Sequence, residues 1–93
     1  MNLNTLIKPS ANQVSCNLQG EEVILNLQNG VYYGLDAVGA VIWKLIEQPR
    51  TVASIRDAML EKFDVDTDRC EKDLFVLLDR LSQEQLIEIS EGV

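Results

Sequence analysis

Apolar and polar residues alternate at Val14, Cys16 and Leu18 against Ser15 and Asn17. This period of two predicts a half-buried strand. Gly20-Glu21 marks a turn, and Val23, Leu25 and Leu27 then alternate again, with Ile24 on the other face. Asn29-Gly30 follows, a strong hairpin signal because both residues tolerate positive φ. Val31-Tyr32-Tyr33-Gly34-Leu35 then reads as a third strand, which completes a small antiparallel meander.

The period changes after Asp36, whose carboxylate suits a helix N-cap. Val38, Val41, Ile42, Leu45 and Ile46 recur at helical spacing, with Trp43 on the flank as a core residue. The helix stops before Pro49, because the residue ahead of proline avoids the helical region. Thr51 caps a second helix with the stripe Val52, Ile55, Met59 and Phe63. The Asp64 to Thr67 segment breaks it. Asp66 or Thr67 opens a third helix, whose stripe is Cys70, Leu74, Leu77, Leu78 and Leu81. Leu86, Ile87 and Ile89 continue as a short strand or as an extension of that helix.

Residues 1–11 show no clear period, are interrupted by Pro9, and read as a loose N-terminal arm. Residues 12–90 form one domain and 91–93 a frayed tail. The expected fold is α+β, winged helix-turn-helix-like, with a three-stranded antiparallel sheet followed by three helices.

Length and charge narrow the function. A chain of 93 residues makes one small domain. Fifteen acidic residues against eight basic ones, net -7, repel polyanions. Nucleic acid and anionic membrane surfaces are therefore not expected partners. The third helix carries Arg69, Lys72 and Arg80 among Asp66, Asp68, Glu71, Asp73, Asp79 and Glu84. A helix that reads base edges should instead be net basic. No apolar run approaches the roughly 20 residues needed to span a bilayer, and residues 1–10 show no signal pattern. A cytoplasmic protein is expected.

Catalytic chemistry finds little to use. There is no histidine, so Ser-His and Cys-His pairs are impossible. Cys16 and Cys70 lie far apart, with too few companions for zinc. The sequence leaves a disulfide between them open, but buried, reduced thiols are the plainer reading. Asp64, Asp66 and Asp68 alternate as a calcium loop begins, without the glycine and glutamate such a loop needs. The five glycines are scattered and form no phosphate cradle. A binding protein without catalytic residues, metal or cofactor is expected.

The run Val31 to Trp43 carries a resemblance: it looks like the signature of PqqD-like proteins. Thr51-Val52-Ala53-Ser54-Ile55, Phe63-Asp64-Val65-Asp66 and Asp73 to Leu78 carry it too. It covers about residues 14–89, and the short, acidic, stand-alone form is most similar to the recognition proteins of lasso-peptide pathways.

The resemblance implies a RiPP recognition element, a module that binds the leader of a ribosomally made precursor peptide. The leader would add as an antiparallel strand beside the third strand, in a groove against the third helix. Val31, Tyr32, Tyr33 and Gly34 would supply the edge, with Gly34 leaving room for the incoming chain. Cys70, Leu74 and Leu77 would floor a pocket, and Arg69 and Asp73 would make polar contacts. Helical spacing leaves open which flank of the third helix faces the groove. The implied partners are a leader-processing cysteine protease and a cyclase. The alternatives are a PqqD-type peptide chaperone working with a radical SAM enzyme and, behind it, a winged-helix DNA-binding protein. A structural subunit that pairs constitutively through its free edge is a further reading.

Overall fold

The computed structural model describes residues 1–19 and 21–90. The expected frayed tail over 91–93 and Gly20 of the expected Gly20-Glu21 turn lie outside the described residues. Among the described residues nine elements follow in order: β1 (Leu6–Pro9), β2 (Gln13–Leu18), β3 (Glu21–Asn26), β4 (Tyr32–Leu35), α1 (Ala37–Leu45), β5 (Arg50–Thr51), α2 (Val52–Lys62), α3 (Thr67–Gln83) and β6 (Ile87–Ser90).

Strands β2, β3 and β4 form the expected antiparallel meander, and the three helices follow it. Each helix starts where a side-chain oxygen can accept from an unpaired amide of the first turn. Asp36 caps α1 through the Gly39 amide at 2.8 Å, Thr51 caps α2 through Ser54, and Asp66 caps α3 through Arg69. The core lies between the inner face of the meander and the helices. Ile24, Leu35, Ile42, Trp43, Ile46, Ile55, Leu78 and Leu81 meet there.

Residues 1–11 are not a loose arm. They contain β1, which pairs antiparallel with both β5 and β6 to make a second sheet. Ile7 is fully buried in the core. The segment also completes α2, whose first amides have no partner within the helix. The carbonyls of Thr5 and Leu3 accept from Val52 and Ala53, each at 3.0 Å. Of the two readings for the chain after Leu86, the strand is the observed one.

The outer strand β2 turns the opposite face inward from the one its alternation suggests. Val14 and Leu18 are 55% and 57% exposed, and Cys16 is exposed as well. Ser15 is half-buried on the inner face and Asn17, itself exposed, follows on the same face; each has a partner there. The Trp43 Nε1 donates to Ser15 Oγ at 3.1 Å, and Asn17 Nδ2 donates to the buried Glu22 carboxylate at 3.2 Å. The two cysteines are free thiols, and only Cys70 is buried.

The β3–β4 connection also differs from a two-residue Asn-Gly turn. Of the loop residues Leu27 to Val31, only Gly30 takes positive φ (73°). Asn26 organises it. Its side-chain oxygen accepts from the Gln28 and Asn29 amides, while its Nδ2 donates to the Glu84 carbonyl at the end of α3.

Candidate functional site

Among the described residues, strand β4 has one hydrogen-bonded neighbour, β3, which leaves its other side a free edge. The Asn26 amide donates to the Val31 carbonyl at 2.9 Å, and the register continues as Leu25–Tyr32, Ile24–Tyr33 and Val23–Gly34. Antiparallel pairing alternates by two residues. The backbone groups of Tyr33 therefore face β3, and those of Tyr32 and Gly34 face the free edge. Side chains alternate as well: Tyr32 projects from the outer face, 70% exposed, and Tyr33 packs inward against the core.

Beside this edge runs a groove with a cavity volume of about 730 Å³, walled by β4 and the start of α1 on one side and α3 on the other. Its floor is apolar: Leu35, Ile42, Met59, Cys70 and Leu74 are all buried. Phe63, Val65, Val38 and Leu77 form the sides, and Asp36, Asp73 and Arg80 the rim. The Arg80 guanidinium stands over the Tyr33 ring, 5.5 Å from its centroid. A half-buried ion pair ties α3 to α2: Arg56 Nη1 donates to Glu71 Oε1 at 2.6 Å. Those bonds to Glu71, then Asp57, push the Arg56 guanidinium further up from its already high range.

Cys70 sits at the groove floor as a small hydrophobe. Burial pushes its thiol up, the nearby Asp73 and Glu71 carboxylates add to this, and Arg56 partly offsets it. A thiol in that state is a poor nucleophile at neutral pH.

Seven of the nine residues expected at the site line this groove: Tyr32, Tyr33, Gly34, Cys70, Asp73, Leu74 and Leu77. Val31 does not. It lies before β4, with its amide donating to Asn29 Oδ1 and its carbonyl occupied by Asn26. Arg69 does not line the groove either; it extends into solvent and reaches the Asp73 carboxylate at 3.8 Å.

The flank of α3 that faces the groove is thus the one bearing Cys70, Asp73, Leu74, Leu77 and Arg80. Sequence reasoning missed the α2 contribution of Met59 and Phe63 and the α1 contribution of Val38, Gly39 and Ile42. The unbroken apolar stripe of α2, running on to an exposed Phe63, was the available signal.

Gly34 needs no glycine for the fold itself. A Cβ there meets nothing within 4 Å, and its φ is not positive. Gly39 is different: a Cβ would come within 3.2 Å of the Leu35 Cβ, so glycine permits the close turn from β4 into α1.

Two solved structures are similar to this chain over most of its length. One is described as TbiB1 in complex with the TbiA(beta) leader peptide. It is 41% identical, with a TM-score of 0.83, and the match covers 87% of this chain and 94% of that one. The other, lasso peptide synthetase B1 complexed with the leader peptide, shares the fold at 16% identity. Its TM-score is 0.79, and the match covers 88% of this chain and 96% of the other. No curated protein sequence matches the chain. Residues 21–87 match the family of coenzyme PQQ synthesis protein D, and the chain belongs to this PqqD family.

Proposed function

We propose that this protein binds the leader segment of a ribosomally synthesised precursor peptide and presents it to maturation enzymes. The observation that carries this reading is the free edge of β4 lying directly beside an apolar groove. TbiB1, 41% identical over most of the chain, is held with a leader peptide in its solved structure, which supports the same class of ligand here.

The leader adds to β4 as an antiparallel strand. The amides and carbonyls of Tyr32 and Gly34 supply backbone hydrogen bonds, which are indifferent to sequence. Discrimination comes from the groove, where apolar leader side chains reach Cys70, Leu74, Leu77 and Met59 and polar ones meet Asp73 or Arg80 at the rim. The absence of a side chain at Gly34 leaves the outer face of the edge open to the neighbouring strand. A leader that is unstructured when free loses entropy on binding, so an affinity of about -8 to -12 kcal/mol is expected. Binding is all this role asks of the chain. A separate leader protease of the cysteine type and a cyclase act on the cargo.

The test is a polarisation titration with fluorescein-labelled TbiA(beta) leader and with leaders encoded beside this chain's own gene. Saturable binding, micromolar or tighter, is expected for at least one. A flat signal with all of them overturns the proposal.

A further inference from the structure

Lys44, Arg50 and Lys62 converge on a second, shallower depression with a volume of about 400 Å³, floored by the half-buried Val41 and Leu45. It opens on a different face of α1 from the groove, since Val38, Gly39 and Ile42 line one and Val41, Lys44 and Leu45 the other. Three cations in one small depression are out of keeping with a chain of net charge -7.

Of the other five cations, three have a carboxylate partner, Arg80 stands over the Tyr33 ring, and Lys72 stands alone on exposed α3 among the described residues. Lys8 reaches Glu88, Arg56 reaches Asp57 and Glu71, and Arg69 reaches Asp73. Among the described residues, no carboxylate lies within ion-pair distance of Lys44, Arg50 or Lys62. Glu47 lines the depression without pairing to any of them.

The helix dipole accounts for the lysines singly, because Lys44 and Lys62 stand in the last turns of α1 and α2. It does not account for Arg50, which belongs to β5 and turns its guanidinium to the Ser54 hydroxyl at 3.3 Å.

We propose that this depression docks a short acidic segment of a second protein, its carboxylates meeting Lys44, Arg50 and Lys62 and an apolar side chain resting on Val41 and Leu45. The apolar floor disfavours a free inorganic anion, which gains nothing from it. The net charge of -7 disfavours a nucleic acid, because an extended polyanion is repelled by a chain whose acidic residues outnumber the basic ones. A segment a few residues long meets the three cations and stops. The site is separate from the groove, so a partner docked here leaves the groove free.

The test is an amide chemical-shift titration of the full chain with the acetylated, amidated peptide Glu-Leu-Glu-Glu-Leu-Glu. Its glutamine counterpart, inorganic phosphate and a short DNA duplex serve as the other arms. Saturable shifts are expected at Val41, Lys44, Leu45 and Lys62 with the glutamate peptide alone, and they should fade as salt rises. Lys44→Glu with Lys62→Glu, both on exposed side chains, should weaken binding roughly fivefold to tenfold. Absence of localised shifts, an equal response to the glutamine peptide, or insensitivity to the double substitution overturns the proposal. Stronger binding of phosphate or DNA overturns it as well, by assigning the cations to another ligand.

Discussion

Arg80 and Tyr33 face each other across one end of the groove, the guanidinium 5.5 Å from the ring centroid. The contact joins the last turns of α3 to the strand that forms the opposite wall. An exposed cation–π contact contributes about 0.5–1 kcal/mol. Arg80 also lies in the last turn of α3, where a positive charge is favourable by itself. Arg80→Ala removes both effects, so a double-mutant cycle with Tyr33→Leu is needed to isolate the contact. The expected coupling in urea denaturation is about 0.5 kcal/mol, with Arg80→Lys falling between the parent and Arg80→Ala. A coupling indistinguishable from zero would show that the two side chains are neighbours without holding the groove.

The alternation along β4 gives a sharper expectation for proline. The Tyr32 amide faces the free edge, so Tyr32→Pro removes a donor that the fold does not use. The Tyr33 amide belongs to the ladder with β3, and its loss weakens the sheet itself. Tyr32→Pro should therefore keep a cooperative thermal transition while lowering leader affinity about threefold to tenfold, the equivalent of one lost hydrogen bond. Tyr33→Pro should lower the melting temperature. The reverse pattern in parallel melting and polarisation experiments would mean that the strand presents its other set of amides.

The capping residues were readable from the sequence because capping is local: Asp36, Thr51 and Asp66 each act on an amide three residues away. The same holds for most of the groove wall on α3, where helical spacing aligns Cys70, Leu74 and Leu77. Strand β1 was hidden for the opposite reason. Leu6 to Pro9 is too short to show a period, and its partners are Arg50–Thr51 and Ile87–Ser90, far along the chain. Alternation in β2 established a strand but not which face turns inward, because that depends on what waits inside. Trp43 and Glu22 offer hydrogen bonds there, and Ser15 and Asn17 can use them where Val14 and Cys16 cannot. Met59 and Phe63 reach the groove through the way α2 lies against α3, which no local pattern encodes.

That inward polar pair makes Ser15 more important than an outer-strand serine normally is. Trp43 is 2% exposed, and its Nε1 donates to Ser15 Oγ. Ser15→Ala leaves the indole donor without its acceptor, at a cost of about 1–3 kcal/mol. Removing both polar groups avoids that penalty, so Ser15→Ala should cost much less in a Trp43→Phe background than in the parent. Urea midpoints at unchanged m-value measure the difference. Equal costs in the two backgrounds would show that solvent replaces the serine.

The two thiols should separate cleanly in reactivity. Cys16 is exposed and Cys70 is buried at the groove floor with its titration pushed up. Only the thiolate reacts. Near neutral pH, iodoacetamide should therefore label Cys16 first, and peptide mass mapping should find Cys70 largely unmodified. Cys70 keeps its proton in the folded chain at a pH where the unfolded chain has begun to lose it. Its contribution to stability is thus complete below the ordinary thiol range and declines as pH rises through and beyond it. Labelling of Cys70 should grow on the alkaline side of that range, and a leader peptide seated over the groove floor should slow it while leaving Cys16 unchanged. Peptide binding that protects Cys16 and leaves Cys70 reactive would place the leader on the outer face of the meander instead of in the groove.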